Sequence, residues 1–303
     1  MRRELRRVYR GLRVRLSRLE ASILGHFVRF APPPVSQGVV RVRNKYFDPD
    51  DLATYAPFIR DMQRFDHDLR VKTLDRYTRR QRAWEYATFL SWFKSLRGLR
   101  ILDIGPGASA FSLFLQGMGA RVTTFDLPAP FQDRRAILQR YGPAGVAHCA
   151  GTMMELPFAD EAFDVVVSVS AIEHLQQYSS DPSRARPYDL FVEDTRRALR
   201  EMGRVIRQGG AIYITTDSYD PSLQVGDEWW RHDEEIACAY RDSDVEAIFV
   251  GDLRREGFLF TGEHAYDFEV VRGDSSRANF RGRYISSWAL FMRKLRVRSE
   301  ETP

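Results

Sequence analysis

The spacing of apolar positions changes several times along this 303-residue chain, and each change predicts an element. In residues 1–30, Leu5, Val8, Leu12, Leu16, Leu19, Ile23, Phe27 and Phe30 recur at steps of three or four, on one face of a helix. Pro32-Pro33-Pro34 ends that segment. Asp48-Pro49-Asp50-Asp51 reads as a helix start with proline at the first helical position. Helical spacing then runs from about Asp61 to Leu96, rich in arginine and in aromatics such as Phe65, Tyr77, Trp84, Tyr86, Phe89, Trp92 and Phe93. Tyr77, Arg82, Trp84 and Tyr86 stand shortly before the next motif, as core residues or as a lid over a ligand.

From residue 100 onward the pattern alternates between strand and helix. Ile101 to Ile104 is a short apolar run carrying Asp103; it breaks at Gly105-Pro106-Gly107, and Phe111, Leu113, Phe114 and Leu115 resume a helical period. Ala120 to Asp126, Gly145 to Cys149, Phe163 to Val169 and Ala211 to Thr216 are the further strands, the last closing on Asp217. Helices are predicted over 131–141 and 188–207, with Gly209-Gly210 as a helix stop. Phe163 to Val169 is the most apolar strand, as befits the middle of a parallel sheet. Tyr266 to Val271 and Tyr284 to Arg293 have only a loop between them and should pair antiparallel. Strand–helix alternation of this kind predicts a doubly wound α/β fold.

Charge alters the picture in one place. Residues 1–30 hold nine arginines against Glu4 and Glu20, leaving 37 basic and 39 acidic residues in the rest of a chain whose net charge is +5. A basic extension is joined to a near-neutral body, so a general nucleic-acid-binding surface is not implied. The extension suits a helix packed on its own domain or on a partner with its arginines solvated, an interfacial helix on anionic lipid, or a transit peptide. Two cysteines, Cys149 and Cys238, supply neither a disulfide framework nor a four-cysteine zinc site. No apolar run approaches the length of a membrane span.

The strand–glycine turn–helix at 101–115 brings bare backbone amides and a helix N-terminus close to a ligand. Gly105-x-Gly107-x-x-Ala110 satisfies the loose dinucleotide fingerprint, and Asp126 follows about 20 residues on, where a ribose-binding acid is expected. A glycine turn of purely structural purpose fits the same residues.

The order of motifs resembles the class I S-adenosylmethionine-dependent methyltransferases, within the type-11 group of small-molecule enzymes. Four features carry it: Leu102-Asp103-Ile104-Gly105-Pro106-Gly107; Asp126 ending strand two; Glu155-Leu156-Pro157-Phe158 before Phe163-Asp164-Val165-Val166; and Glu173-His174-Leu175 after strand four. The resemblance implies a doubly wound, mostly parallel seven-stranded sheet with a C-terminal antiparallel hairpin, and S-adenosyl-L-methionine as cofactor. Gly105, Pro106 and Gly107 would let the backbone approach the methionyl part, and Asp103 would orient its amino group. Asp126, followed by Leu127, would accept from both ribose hydroxyls. Thr152 and Met153 would flank the adenine, where the family commonly has an acid. Ser170 would offer backbone near the methionyl amine.

The implied organisation is a basic helical extension at 1–34, a helical lid or cap at 35–97, and a Rossmann-like domain at 98–295 with a substrate insertion at 218–262. Residues 296–303 form a tail. Candidate bases are His232, His174 and Asp217; a hydroxyl nucleophile needs one, whereas an amine must only be neutral. His232 follows Trp229-Trp230-Arg231 in the insertion, and Trp229, Trp230 and Tyr240 are candidates to line an apolar or sugar-binding substrate pocket or simply to cover the sheet. The expected enzyme methylates a small-molecule, glycan-linked or lipid-linked acceptor. It is expected to be cytoplasmic, with peripheral membrane contact through residues 1–30. A nicotinamide-dependent oxidoreductase and a non-catalytic methyltransferase-like partner protein are the competing readings.

Overall fold

The computed structural model describes residues 56–69, 79–107, 109–128, 146–178, 188–219, 240–260, 278–280 and 283–295. Among these, one compact unit ends at Ala150 and a second begins at Gly151.

The first unit opens with helices α1 (Ala56–Leu69) and α2 (Arg79–Ser91). Phe58 and Met62, four apart on α1, are buried, and Phe65 meets Phe114 edge-on at 5.3 Å. On α2 the buried set Ala83, Trp84, Tyr86, Ala87, Phe89 and Leu90 wraps more than half the circumference, so this helix is enclosed rather than laid on a surface. Then come β1 (Arg100–Ile104), α3 (Phe111–Gly117), β2 (Arg121–Asp126) and β3 (Ala147–Ala150). β1 pairs β2 in parallel with Ile104 opposite Phe125, and β2 pairs β3 in parallel with Asp126 opposite Ala150. The predicted helix at 131–141 and the helix start at 48–51 lie outside the described residues, as does the extension at 1–34.

The second unit is built on β4 (Phe163–Val169), α4 (Tyr188–Val205) and β5 (Ile206–Tyr219). β4 and β5 are parallel, and every residue of β4 except Asp164 is buried. Along α4, Tyr188, Phe191, Thr195, Ala198, Leu199, Met202 and Val205 form one buried stripe at steps of three and four. The stripe meets the stretch after β6 (Tyr240–Arg241), which is α-helical over Asp242–Val245 and Leu253–Arg255 and π-helical over Glu246–Asp252. Phe191 stacks on Tyr240 at 4.7 Å, and Tyr240 stands edge-on to Phe249 at 4.9 Å. β7 (Phe258–Phe260), β8 (Ala278–Phe280) and β9 (Arg283–Lys294) follow, and β9 runs antiparallel to β5, β7 and β8.

The doubly wound, mostly parallel α/β fold with antiparallel strands at its C-terminal end is therefore observed. The run at 266–271 lies outside the described residues, and the antiparallel neighbours seen for β9 are β5, β7 and β8. The glycine pair 209–210 does not stop the helix, which ends at Val205. It forms a bulge inside β5, where β4 pairing skips from Ile206 to Ala211. Gly209 takes φ +74°, and a Cβ on Gly210 would stand 2.7 Å from the Asp164 carbonyl oxygen, so close approach demands glycine there.

Leu156-Pro157-Phe158 is fastened to α4 by one arginine. Arg204 donates to the carbonyls of Phe158 (2.8 Å) and Leu156 (2.9 Å) and pairs with Asp160 and Glu201. Glu201 in turn accepts the Leu156 N–H at 2.8 Å. The Arg204 hydrogen bond, more than any other contact, holds the Glu201 carboxyl below its usual range. Among the described residues no helix is long and apolar enough to cross a membrane.

Candidate functional site

The glycine turn lies wholly within the first unit. β1 delivers Asp103 and Ile104 to it; Gly105 and Gly107 then adopt φ +67° and +51°, a region that a Cβ disfavours. A Cβ built on Gly107 would meet nothing within 4 Å, so the turn faces open space on that side. The Gly105 N–H donates to the Phe125 carbonyl at 2.8 Å, which carries the β1–β2 register into the turn. Ser109 closes it by donating its N–H to the Pro106 carbonyl at 3.0 Å.

Asp126, at the end of β2, reaches the same turn. Its Oδ2 accepts the Gly107 N–H at 2.9 Å and its Oδ1 accepts the Leu127 N–H at 2.8 Å. A carboxylate offers about four acceptor positions, so one whose oxygens are oriented by backbone amides suits further donors arriving as a pair. Asp103 is buried and accepts from the Ser112 hydroxyl in the first turn of α3. Ser112 carries no motif of its own. The only sequence signal for it is a hydroxyl nine residues after a strand-end acid. Above the turn, the buried Tyr86 of α2 hydrogen-bonds the Ser109 hydroxyl at 2.8 Å and stacks on Phe111 at 3.9 Å.

Asp103, Gly105, Pro106, Gly107, Asp126 and Leu127 are thus brought together. The other predicted residues belong to the second unit. Thr152 is half-buried, and its hydroxyl accepts the Met154 N–H at 3.3 Å, while Met153 is buried. Ser170 follows β4 with φ +43°, an unusual value for a non-glycine residue, and its N–H donates to the Thr215 carbonyl and hydroxyl. Glu173 is buried and accepts from Thr216 at 3.2 Å. His174 beside it is half-buried, its N–H donating to the Ala171 carbonyl at 3.0 Å; Asp217 is half-buried near the end of β5. Tyr240, expected near substrate, is fully buried, its hydroxyl bonded to Thr195 (2.9 Å) and the Ile172 carbonyl (3.3 Å), which makes it a core residue. Trp229, Trp230 and His232 lie outside the described residues.

Residues 102–214 match the protein family described as Methyltransferase domain, a span that contains the glycine turn, Asp126, Leu156-Pro157-Phe158 and Glu173-His174. This segment is a class I methyltransferase domain of the type-11 group. The domain's cofactor is S-adenosylmethionine. The chain is 31% identical over 140 residues to an uncharacterized methyltransferase, YcgJ, of Bacillus subtilis, covering 44% of this chain and 46% of that protein. It is 32% identical over 177 residues to the demethylmenaquinone methyltransferase of Thermobifida fusca, covering 57% and 64%. A ubiquinone biosynthesis O-methyltransferase of Rhizobium leguminosarum is 30% identical over 126 residues, covering 41% and 42%. The matched region spans between 42% and 64% of the length of these relatives.

The residues of the turn fit that cofactor. The bend is open where a Cβ would stand, and the carboxylate beside it is held by two backbone amides with its acceptor oxygens already oriented. Both are properties a nucleoside diol requires.

Proposed function

We propose that this protein transfers a methyl group from S-adenosyl-L-methionine to an oxygen or nitrogen of a small-molecule, glycan-linked or lipid-linked acceptor. The observation that carries the reading is Asp126 joined to the amide of Gly107 inside a methyltransferase domain. When bound, the cofactor supplies a methyl group already activated on a sulfonium, open to in-line displacement. The chain's own work is then to bind, align and exclude water.

In this reading Asp126 receives the ribose hydroxyls and Asp103, steadied by Ser112, orients the methionyl amine. Gly105, Pro106 and Gly107 give close backbone approach, and Leu127 packs beside the nucleoside. Thr152 and Met153 flank the adenine; the Thr152 hydroxyl accepts the Met154 N–H and keeps a second lone pair for the adenine amino group. Ser170 presents its strained backbone, consistent with the tendency of such conformations to gather at functional sites. His174 or Asp217 takes the proton from a hydroxyl acceptor, with His232 a third candidate; Trp229 and Trp230 line the acceptor's path.

The relatives named for demethylmenaquinone and ubiquinone biosynthesis support a small-molecule acceptor, and a relative named for malonyl-[acyl-carrier protein] supports a carrier-linked one. The decisive assay incubates the full chain with cofactor labelled in the methyl group and with fractionated metabolite, glycan and lipid pools. Label is expected in one fraction and requires Asp126. Tight binding of NADH with no binding of S-adenosylmethionine would instead favour the oxidoreductase reading, and cofactor binding without transfer the non-catalytic one.

Peripheral contact with a membrane surface is part of the same proposal, supported by the arginines that surround an apolar stripe in residues 1–30. The full chain is expected to co-sediment with phosphatidylserine-containing vesicles at low salt, and a variant carrying Arg6→Glu, Arg10→Glu and Arg13→Glu to remain in the supernatant. Equal sedimentation of the two proteins counts against the membrane role.

A further inference from the structure

The glycine turn is held from two sides, and only one of them lies in the family's matched region. From β2, Asp126 fixes the amide of Gly107. From α2, which precedes residues 102–214 altogether, Tyr86 fixes Ser109. We propose that Tyr86 is a positioning residue for the cofactor turn, holding Ser109 and the entry of α3 in the conformation that receives the nucleoside; this rests on the methyltransferase reading above.

The geometry assigns the ring and the hydroxyl separate tasks. The ring is buried and lies nearly parallel to Phe111, with centroids 3.9 Å apart and planes 13° from each other. A phenylalanine would make the same stack. The hydroxyl then needs its own reason, because a buried polar group without a partner is costly. Its partner is the Ser109 hydroxyl, which also accepts the Phe111 N–H at 3.1 Å, at the first residue of α3. Ser109 meanwhile closes the turn onto Pro106. One phenol therefore braces the turn and the start of the helix together. Burial is the main reason its acidity is pushed up to about 12, so the phenol keeps its proton across physiological pH. Within α2, Glu85 is fully buried and pairs with Arg82 at 2.8 Å, and the Arg82 guanidinium stands 6.0 Å from the Tyr86 ring centroid. This is what the cap segment contributes to a turn whose glycines leave it no stiffness of its own.

The test uses the full chain, with calorimetric titration by S-adenosylhomocysteine and a thermal melt on each variant. Tyr86→Phe keeps the stack and removes the brace; affinity is expected to fall about five- to tenfold, because the unbraced turn must be ordered on binding, and Tm to fall by no more than a few degrees. Ser109→Ala should show the same loss, Ser109→Thr should retain most of the affinity, and the Tyr86→Phe/Ser109→Ala pair should lose no more than either alone. Wild-type affinity in Tyr86→Phe, or losses that multiply in the double variant, overturn the proposal. A lowered Tm with affinity intact also overturns it, because that marks a packing role only. If Tyr86→Phe does not fold, the Ser109 pair still decides. Failure of the unaltered protein to bind the nucleoside overturns the methyltransferase reading itself, a result distinct from all of these.

Discussion

Replacing Asp126 by alanine is expected to lower affinity for S-adenosylmethionine about 100-fold, by far the largest single-residue effect on binding. The carboxylate has two roles that disappear together. As a receptor for the ribose it makes charge-assisted hydrogen bonds, each worth about 1.5–3 kcal/mol when intact, so losing two of them reaches at least that factor. As a brace it holds the Gly107 N–H at 2.9 Å and the Leu127 N–H at 2.8 Å, and without it the turn loses the Gly107 tether to β2 and keeps the Gly105–Phe125 one. Asp126→Asn separates the two. The amide keeps one acceptor oxygen for a backbone N–H but offers no second one to a diol, so an intermediate loss is expected. Calorimetry with S-adenosylhomocysteine checks both variants; affinity in Asp126→Ala equal to that of the unaltered protein is incompatible with the site described.

The parts of this site that were legible from residue order are those where backbone geometry or strand position forces a residue type. Gly105 and Gly107 sit at positive φ, and Asp126 ends a strand whose neighbour leads into the turn, so both announce themselves along the chain. Ser112 and Ser109 do not. Their roles exist only because α3 folds back over β1 and α2 lies against the turn, and a serine in a run of small residues gives no hint of either. Tyr86 is readable along the chain as core or as lid; it is buried, as the core reading expects, and its hydroxyl bonds Ser109 of the turn.

The same distinction explains the fold. Apolar β4 and the striped α4 were plain from periodicity, because burial on one or both faces leaves a direct imprint on spacing. Gly209-Gly210 was not, since a helix stop and a bulge ask for the same residue; what separates them is the Asp164 carbonyl pressed against Gly210 from a strand 46 residues earlier. Tyr240, within a long insertion, is open along the chain to two readings, a pocket aromatic or a cover for the sheet. Its ring stacks on Phe191 of α4, a contact set by how the 240–255 stretch coils and not by any local signal.

A matched pair of glycine substitutions isolates the binding role of the turn from its conformational cost. Gly107 and Gly98 both hold positive φ, +51° and +78°, and a Cβ on either meets no heavy atom within 4 Å. Alanine at each position therefore carries the same kind of penalty, about 1 kcal/mol for a left-handed backbone, and no clash with the protein. Gly98 lies in the turn before β1, its N–H bonded to the Gly119 carbonyl, away from Asp126. Both variants are expected to lose a few degrees of Tm. Only Gly107→Ala places a methyl group in the open space beside the Asp126 carboxylate, so only it should lose cofactor affinity, by at least tenfold. Two melts and two titrations decide the matter. Equal affinity in the two variants would mean that the space over Gly107 is not where the nucleoside lies, and that the glycine serves the bend alone.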